Sequence, residues 1–147
     1  EFVGFMDADE PITPDEYMKL FGFLKSYDCV VASRRVAGTV ITIKQPLKRR
    51  IASKVFNLTI NAFFRLGIRD TQCGAKVFRK SSVKKILDEI KLSGFEFDVE
   101  LLWRLKRRGC SIYEAPVNWK HGAYSTFQLK YGPKMLLNIV RLRFGII

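Results

Sequence analysis

Short apolar runs alternate with amphipathic helical patterns along most of this chain. Residues 2–6 form an apolar, strand-like run, and Thr13-Pro14-Asp15-Glu16 then has the form of a capping box with proline at the first helical position. From Tyr17 to Leu24, apolar residues recur at three- and four-residue steps, which is typical of one helix face packed on a sheet. The alternation predicts an α/β fold with a mostly parallel sheet flanked by helices.

The same patterns predict the remaining elements. In chain order they are a strand at 29–33, a loop at 37–46, a helix at 47–66, a strand at 74–79, helices at 82–90 and 97–108, a strand at 111–119, a loop at 120–128 and a final amphipathic helix at 130–144. Gly67 and Gly109 are suited to end two of these helices. The chain contains no run of about 18 apolar residues, so the sequence predicts no helix that spans a bilayer.

The charges are divided unevenly along the chain. There are 26 lysines and arginines against 14 acidic residues, a formal net charge of +12, but the first 30 residues hold seven of the acids and only two of the bases. The basic remainder predicts an anionic partner. Three widely spaced cysteines indicate neither a zinc site nor a disulfide framework, and they favour a reducing compartment.

Two carboxylates, Asp7 and Asp9, follow the first strand. Ligands of open α/β sheets bind at the carboxyl ends of strands, and paired carboxylates suit Mg²⁺ or Mn²⁺ bound to a diphosphate. An Asp-x-Asp triplet is also an ordinary turn before a capped helix. Its place after a fully apolar strand, in a chain otherwise rich in cations, favours the metal site.

Arginines and a serine suggest a phosphate site. Arg34 and Arg35 end the second strand, while Arg49 and Ser53 are four residues apart on one face of the helix at 47–66. Guanidinium groups bind phosphate in a bidentate manner, and a hydroxyl adds a further donor. The alternative is a solvated basic face.

Two further segments combine polar groups that suit a site. The turn at 69–76 holds Asp70 and Lys76 beside Gly74, which permits close backbone approach, although such a turn can also be a plain connection. Glu96 and Asp98 open the helix at 97–108, where acids suit either a site or the positive end of the helix dipole.

Six short segments follow one another in an order known from one family. They are FMDAD (5–9), ASR (32–34), PLKRRIASK (46–54), DTQCGAK (70–76) with Phe78, FEFDVELL (95–102) and PVNW (116–119). In sequence and order they resemble the polyprenyl-phosphate sugar synthases of glycosyltransferase family 2, of which dolichyl-phosphate mannose synthases and glucosyltransferases are the nearest types. The DTQCG turn and the VNW strand are more similar to the glucosyltransferase branch.

This resemblance implies a partial GT-A fold and a metal-dependent, inverting transfer of a hexose. The donor would be a nucleotide sugar of the UDP-glucose or GDP-mannose type, the acceptor a polyprenyl or dolichyl phosphate, and the cofactor Mg²⁺ or Mn²⁺. The reaction would take place at the cytoplasmic face of a membrane. Residues 1–128 would be the later part of the catalytic domain, and 129–147 an amphipathic helix that lies on the membrane surface or packs on the domain.

The resemblance also implies roles for residues at the matching positions. The catalytic residues would be Asp70 and Asp9, the metal ligands Asp7 and Asp9, the donor-diphosphate residues Asp7, Asp9, Lys120 and Ser125, and the acceptor-phosphate residues Arg34, Arg49, Ser53 and Lys76. Mannose synthases have a further metal-binding glutamine at the position of Pro11, and this chain therefore departs from them there. His121, the single histidine, is assigned no catalytic role.

One part of the family pattern is absent from these residues. Family members begin with a Pro-x-Tyr-Asn-Glu-like segment that grips the nucleotide base and ribose, whereas this chain opens at Glu1 directly in a strand pattern. We therefore expect more of the domain upstream of Glu1 and poor nucleotide-sugar binding by the 147 residues alone. Two other functions stay open: a family 2 enzyme with a sugar or polymer acceptor, and a basic nucleic-acid-binding module, although no RRM, KH, zinc-finger or helix-turn-helix signature is present.

Overall fold

The computed structural model shows alternating strands and helices over residues 1–8, 12–43, 46–94, 96–120 and 132–146, the parts of the chain that it describes. The strands are β1 (Phe2–Met6), β2 (Cys29–Ser33), β3 (Val40–Ile43), β4 (Ala75–Arg79), β5 (Ile112–Pro116) and β6 (Asn118–Lys120). The helices are α1 (Pro14–Phe23), α2 (Leu47–Phe64), α3 (Lys80–Lys84), α4 (Phe97–Arg107) and α5 (Gly132–Arg143), and a short 3₁₀ turn spans Leu87–Glu89. The predicted α/β class is confirmed.

The central sheet has four strands in the order β1-β4-β2-β5. Strand β4 is antiparallel to both of its neighbours, while β2 and β5 are parallel. The sheet is thus mixed rather than mostly parallel. The chain enters β4 at the end of the sheet where β1 stops, so Ala75, the first residue of β4, pairs with Met6, the last residue of β1. A second small sheet consists of β3 and β6 in parallel.

Hydrophobic clusters cover both faces of the central sheet. On one face, Val31 packs in a cluster with Ile60 of α2 and Leu102 of α4. On the other face, Val30 packs with Leu20 of α1. Successive residues of β2 therefore enter different clusters, and all five residues of this strand are buried. The core fixes the ends of β1, β2 and β4 relative to one another.

Several predicted boundaries need correction. The predicted helix at 82–90 is α3 followed by the 3₁₀ turn, and the predicted loop at 37–46 contains β3. The predicted strand at 111–119 divides into β5 and β6, because Pro116 has no amide hydrogen to continue the ladder and the chain then pairs with β3. The helices predicted at 47–66 and 97–108 are confirmed as α2 and α4.

Gly4 of β1 is packed so closely against neighbouring residues that there is no room for a side chain at this position. A Cβ atom there would lie 2.7 Å from the backbone carbonyl oxygen of Lys76 and 2.9 Å from a Val77 methyl carbon, and would overlap the Tyr17 hydroxyl. We expect Gly4→Ala to lower the free energy of unfolding by about 1–3 kcal/mol, the usual cost of overpacking. Urea denaturation followed by circular dichroism measures this change.

Gly22 in α1 provides the matched control. A Cβ atom at Gly22 meets nothing within 4 Å. Since glycine loses backbone entropy in a helix interior, Gly22→Ala should raise the free energy of unfolding by about 0.5–1 kcal/mol. A Gly4→Ala variant as stable as Gly22→Ala would contradict the packing of β1 described above.

Candidate active site

The segments with predicted site residues meet at one edge of the central sheet. Asp7 follows β1 and Arg34 follows β2, while the turn that holds Asp70 comes just before β4. The antiparallel direction of β4 brings this turn to the carboxyl ends of the other two strands, with Met6 opposite Ala75. Residues that are far apart in the chain therefore share one surface.

A buried ion pair joins Arg34 to Asp70. The Arg34 Nε and Nη2 atoms each donate to an Asp70 carboxylate oxygen at 2.7 Å, and the Arg34 amide donates to the same carboxylate at 2.9 Å. Asp70 is only 2% exposed. Burial raises the pKa of Asp70, but the hydrogen bonds and charge of Arg34 outweigh it, so the pKa lies below the ordinary aspartate value. The Arg34 guanidinium also lies 5.3 Å from the ring centre of Trp119.

Glu114 of β5 fixes the turn from one side. Its carboxylate accepts hydrogen bonds from the backbone amides of Arg69 at 2.8 Å and Asp70 at 3.0 Å. It also accepts from the Ser33 hydroxyl at 2.9 Å. The end of β2 and the start of the turn are therefore tied to the same carboxylate.

Asn57 of α2 fixes the turn from the other side. Its Oδ1 atom accepts from the amide of Thr71 at 3.2 Å and from the hydroxyl of the same residue at 2.9 Å. Its Nδ2 atom donates to the backbone carbonyl of Arg69 at 2.9 Å. Asn61, one helical turn later, donates to the carbonyl of Ile68 at 2.8 Å. Helix α2 thus determines where Asp70 lies.

Arg35 brings the predicted phosphate-binding serine into the same surface. One of its terminal nitrogens donates to the Ser53 hydroxyl at 2.8 Å, and the other donates to the carbonyl of Arg69 at 2.9 Å. Arg49 lies one helical turn before Ser53 on α2. Arg34, Arg35 and Ser53 are therefore neighbours, as a phosphate site requires.

Gly74 allows the Asp7 carboxylate to lie against the turn. The Asp7 amide donates to the carbonyl of Gly74 at 2.7 Å, and a Cβ atom on Gly74 would overlap the Asp7 side chain. Burial lowers the pKa of the Arg34 guanidinium, but the hydrogen bonds and charge of Asp70 outweigh this effect and the charge of Asp7 adds to them, so the pKa lies above the ordinary arginine value. The negative charges of Asp7 and Asp70 therefore both act on Arg34.

The predicted metal site is described only in part. The Asp7 carboxylate oxygens are of the kind that Mg²⁺ and Mn²⁺ prefer, while Asp9 and Pro11 lie outside the described residues. Within the described ranges, no group of three His, Cys, Asp or Glu side chains could hold a metal ion. The metal ion therefore stays a prediction, with Asp7 and Asp9 as its expected ligands.

Lys76, a predicted acceptor-phosphate residue, is buried and ion-paired. It is fully buried, its Nζ atom is 3.0 Å from the carboxylate of Asp98, and it donates to the carbonyl of Cys73 at 2.8 Å. Burial raises the pKa of Asp98, and the charge of Lys76 offsets part of this effect. Lys76 thus pairs with a carboxylate inside the domain and also bonds to the backbone of the turn that carries Asp70.

Four more residues that the sequence singles out are Lys120, Ser125, His121 and Glu96. Lys120 is exposed at the end of β6, whereas Ser125 and His121 lie outside the described residues. Glu96 is nearly buried and accepts a hydrogen bond from Asn138 of α5, which gives it a packing role.

Sequence patterns did not identify Asn57, Glu114 or Trp119 as site residues. The one available sequence signal was Asn57 itself, inside the helical pattern at 47–66. Because asparagine is a weak helix former, its presence within a helix suggests that its side chain has a hydrogen-bond partner.

The comparison with family models decides the family. Residues 1–87 match the model described as Glycosyl transferase family 2. The chain belongs to this family. A mixed sheet flanked by helices, with polar residues at the end of β1, is consistent with part of the GT-A fold that the sequence motifs imply.

Three curated relatives show where in family 2 the similarity lies. The undecaprenyl-phosphate mannosyltransferase of Micrococcus luteus is 30% identical over 115 residues, which cover 78% of this chain and 47% of the relative. The polyprenol monophosphomannose synthase of Mycolicibacterium smegmatis is 29% identical over 116 residues, 78% of this chain and 43% of the relative. A dolichyl-phosphate beta-glucosyltransferase of Trichomonas vaginalis is 28% identical over 149 aligned positions, 97% of this chain and 44% of the relative. This family 2 chain spans less than half the length of each.

Replacing Asp70 tests the ion pair at the centre of the candidate site. Asp70→Asn leaves the Arg34 charge without its buried partner, and we expect a loss of about 3–5 kcal/mol of stability at neutral pH. Because the folded-state pKa of Asp70 is depressed, its stabilising effect is complete above the ordinary aspartate pKa of about 3.9 and is lost as the pH falls through the folded-state value. Urea unfolding across this pH range measures the difference between the variant and the wild type.

Asp88 in the exposed 3₁₀ turn supplies the control for this experiment. Asp88→Asn should change the free energy of unfolding by less than about 0.5 kcal/mol, as is usual for surface substitutions. If the difference in the free energy of unfolding between wild type and Asp70→Asn did not become smaller as the pH falls, the assignment of a depressed pKa to Asp70 would be wrong.

Proposed function

We propose that this chain is part of a family 2 catalytic domain that transfers a hexose from a nucleotide sugar to a polyprenyl phosphate with inversion. The observation that carries the proposal is the grouping of Arg34, Arg35 and Ser53 at the same sheet edge as Asp7. Three relatives named as polyprenyl- or dolichyl-phosphate sugar transferases support the acceptor class. The donor is proposed to be of the UDP-glucose or GDP-mannose type.

The chemistry of a phosphate acceptor fits the groups present. A lipid phosphate is already anionic, so alignment by cations matters more than a strong general base. With its depressed pKa and with hydrogen bonds to both carboxylate oxygens, Asp70 is poorly suited to take up a proton. In this proposal it orients Arg34 toward the acceptor phosphate and lies near the sugar, while Arg35, Arg49 and Ser53 complete the phosphate site.

The donor side is proposed to involve a metal ion. Mg²⁺ or Mn²⁺ held by Asp7 and Asp9 would neutralise the charge that develops on the leaving nucleoside diphosphate. Gly74 supports this placement of Asp7, because the absence of a Cβ atom on Gly74 lets the Asp7 side chain lie against the turn. Lys120 at the end of β6 and Ser125 in the segment that follows are proposed to bind the diphosphate.

The proposed acceptor role can be tested with the full-length protein that contains this chain. Transfer of labelled sugar to detergent-dispersed polyprenyl phosphate is measured for wild type, Arg49→Ala and Ser53→Ala. A hydrogen bond to a charged group contributes about 1.5–3 kcal/mol, so kcat/KM for the acceptor should fall about 10- to 100-fold in Arg49→Ala. Lys84→Ala, an equal charge change on the exposed part of α3, should have wild-type kcat/KM.

The same measurements separate the alternatives. If the wild-type protein transferred sugar to a sugar or polymer acceptor but not to polyprenyl phosphate, and Arg49→Ala kept that activity, a different family 2 reaction would be favoured. Salt-dependent binding of the protein to RNA or DNA, without any sugar transfer, would instead favour a nucleic-acid-binding function.

We also propose that the protein works at a membrane surface, on which α2 lies. Four apolar residues on one face of α2 are more than half exposed: Leu47 at 67%, Ile51 at 54%, Val55 at 60% and Leu58 at 73%. The helix carries Lys48, Arg49, Arg50 and Lys54 and has no acidic residue. Apolar side chains flanked only by cations suit an anionic bilayer better than a protein partner.

The terminal helix α5 shares its apolar residues between the core and the surface. Met135, Ile139 and Leu142 are buried, so one face packs on the domain. Leu136 and Leu137 are exposed by 42% and 48%, respectively. None of the helices in the described ranges combines the length and hydropathy needed to cross a bilayer.

Flotation with vesicles tests the membrane-facing side of α2. Because Leu47→Gln with Leu58→Gln removes two exposed apolar anchors, we expect at least about a tenfold loss of binding to vesicles that contain phosphatidylglycerol. High salt should weaken the binding that remains, since the cations then attract the anionic surface less strongly.

Leu87→Gln is the matched control, because Leu87 is 56% exposed in the 3₁₀ turn, outside α2. Equal losses in the α2 variant and the control would overturn the assignment to α2.

A further inference from the structure

A cavity of about 550 Å³ lies where helices α2, α4 and α5 end. Three arginines line it, Arg65 after α2, Arg107 at the end of α4 and Arg143 at the end of α5, and Trp103 and Phe63 form apolar parts of its wall. No carboxylate is among its lining residues in the described part of the chain. With a rise of 1.5 Å per residue, Arg65 is about 24 Å along the helix axis from Arg49, so this cavity is distinct from the proposed acceptor site.

Two of the three guanidinium groups are held in place by contacts that do not neutralise their charge. Arg107 lies 5.0 Å from the ring centre of Trp103. The Nε atom of Arg143 donates to the carbonyl of Phe63 at 2.9 Å. Across the described ranges, none of the three arginines forms an ion pair, and the Nη atoms of Arg143 have no hydrogen-bond partner.

Helix ends account for only part of this positive charge. The carboxyl end of a helix carries about half a negative charge, and basic residues commonly complement it. Three ends meet here, and Lys106 already donates to the carbonyls of Arg65 and Leu66. Three arginines and one lysine therefore exceed the combined charge of the three helix ends, about −1.5, by more than two positive charges. The excess faces an open cavity.

We propose that this cavity binds the phosphate group of an amphiphilic phosphate ester. Planar guanidinium forks match phosphate oxygens in a bidentate manner, and the ring of Trp103 can contact the carbon atoms next to the phosphate. Phe144 and Ile146 flank the cavity-lining Gly145 and are 69% and 67% exposed. This apolar rim beside a cationic cavity matches the headgroup region of an anionic phospholipid, and a soluble phosphate ester has the same anionic chemistry. The site is independent of the proposed sugar transfer.

The test uses lysine substitutions, which keep the charge but remove the guanidinium fork. The full-length protein is titrated calorimetrically with glycerol 3-phosphate and with inorganic phosphate, and floated with phosphatidylcholine vesicles with or without phosphatidylglycerol. Arg107→Lys combined with Arg143→Lys should lose about tenfold or more in affinity, because each fork provides charge-assisted hydrogen bonds. Arg108→Lys, the neighbouring arginine that pairs with Glu89, should bind within about twofold of wild type.

The two sources of phosphate give different results. A loss of binding to phosphatidylglycerol vesicles in the double variant supports a lipid headgroup as the ligand. A loss of glycerol 3-phosphate binding with unchanged vesicle binding supports a soluble ester in the same cavity. Wild-type binding by the double variant, an equal loss in Arg108→Lys, or no binding of any probe by the wild-type protein would overturn the proposal.

Two further variants test whether a loss of binding comes from misfolding or from the membrane face of α2. If thermal unfolding shows that the double variant is unstable, Arg65→Lys repeats the test, because the hydrogen bonds that Arg65 makes in the described chain come from its backbone, which this substitution keeps. Binding of glycerol 3-phosphate should persist in the α2 variant Leu47→Gln with Leu58→Gln. Its retention would separate this cavity from the membrane face of α2, and its loss would overturn an independent site.

Discussion

The ion pair between Arg34 and Asp70 is the interaction on which the candidate site depends. Burying two charges is costly, and the arrangement persists only because both are well bonded. Asp70 receives two guanidinium hydrogen bonds and a backbone hydrogen bond, while its turn is held by Glu114 from the sheet and by Asn57 from α2. Residues of β5 and α2 and the residue after β2 thus all contribute to keeping one carboxylate in place.

Helix α2 contacts three different environments. Ile60 and Phe64 pack in the core, Ser53 and Asn57 bond to the groups around the site, and the outward side presents apolar residues among cations. Since a helix moves largely as one body, a displacement of its outer side is transmitted to the turn that carries Asp70. If α2 lies on a membrane as proposed, a lipid-bound acceptor would meet a site whose geometry is set by the same helix.

The sequence was informative where the controlling interactions are local. Periodicity located α2 and α4, the capping box located α1, and motif order brought Asp7, Arg34 and Asp70 into one hypothesis. The direction of β4 was not predictable, because a strand buried on both faces has no pattern that distinguishes parallel from antiparallel pairing. The partner of Lys76 was not predictable either, since Asp98 is on a separate helix and only the finished core places them 3.0 Å apart. Asn57 and Glu114 act through bonds to backbone groups, which leave little trace in residue types.

The position of β1 at the border of the sheet has a consequence for handling the chain. Within the described residues, β1 pairs with β4 on one side only, so its other side offers unpaired backbone amides and carbonyls beside the half-exposed ring of Phe2. Such an edge is a template for any extended strand that reaches it, including the same strand in another copy. In concentrated samples of these residues alone, self-association along β1 is therefore a physical route to aggregation.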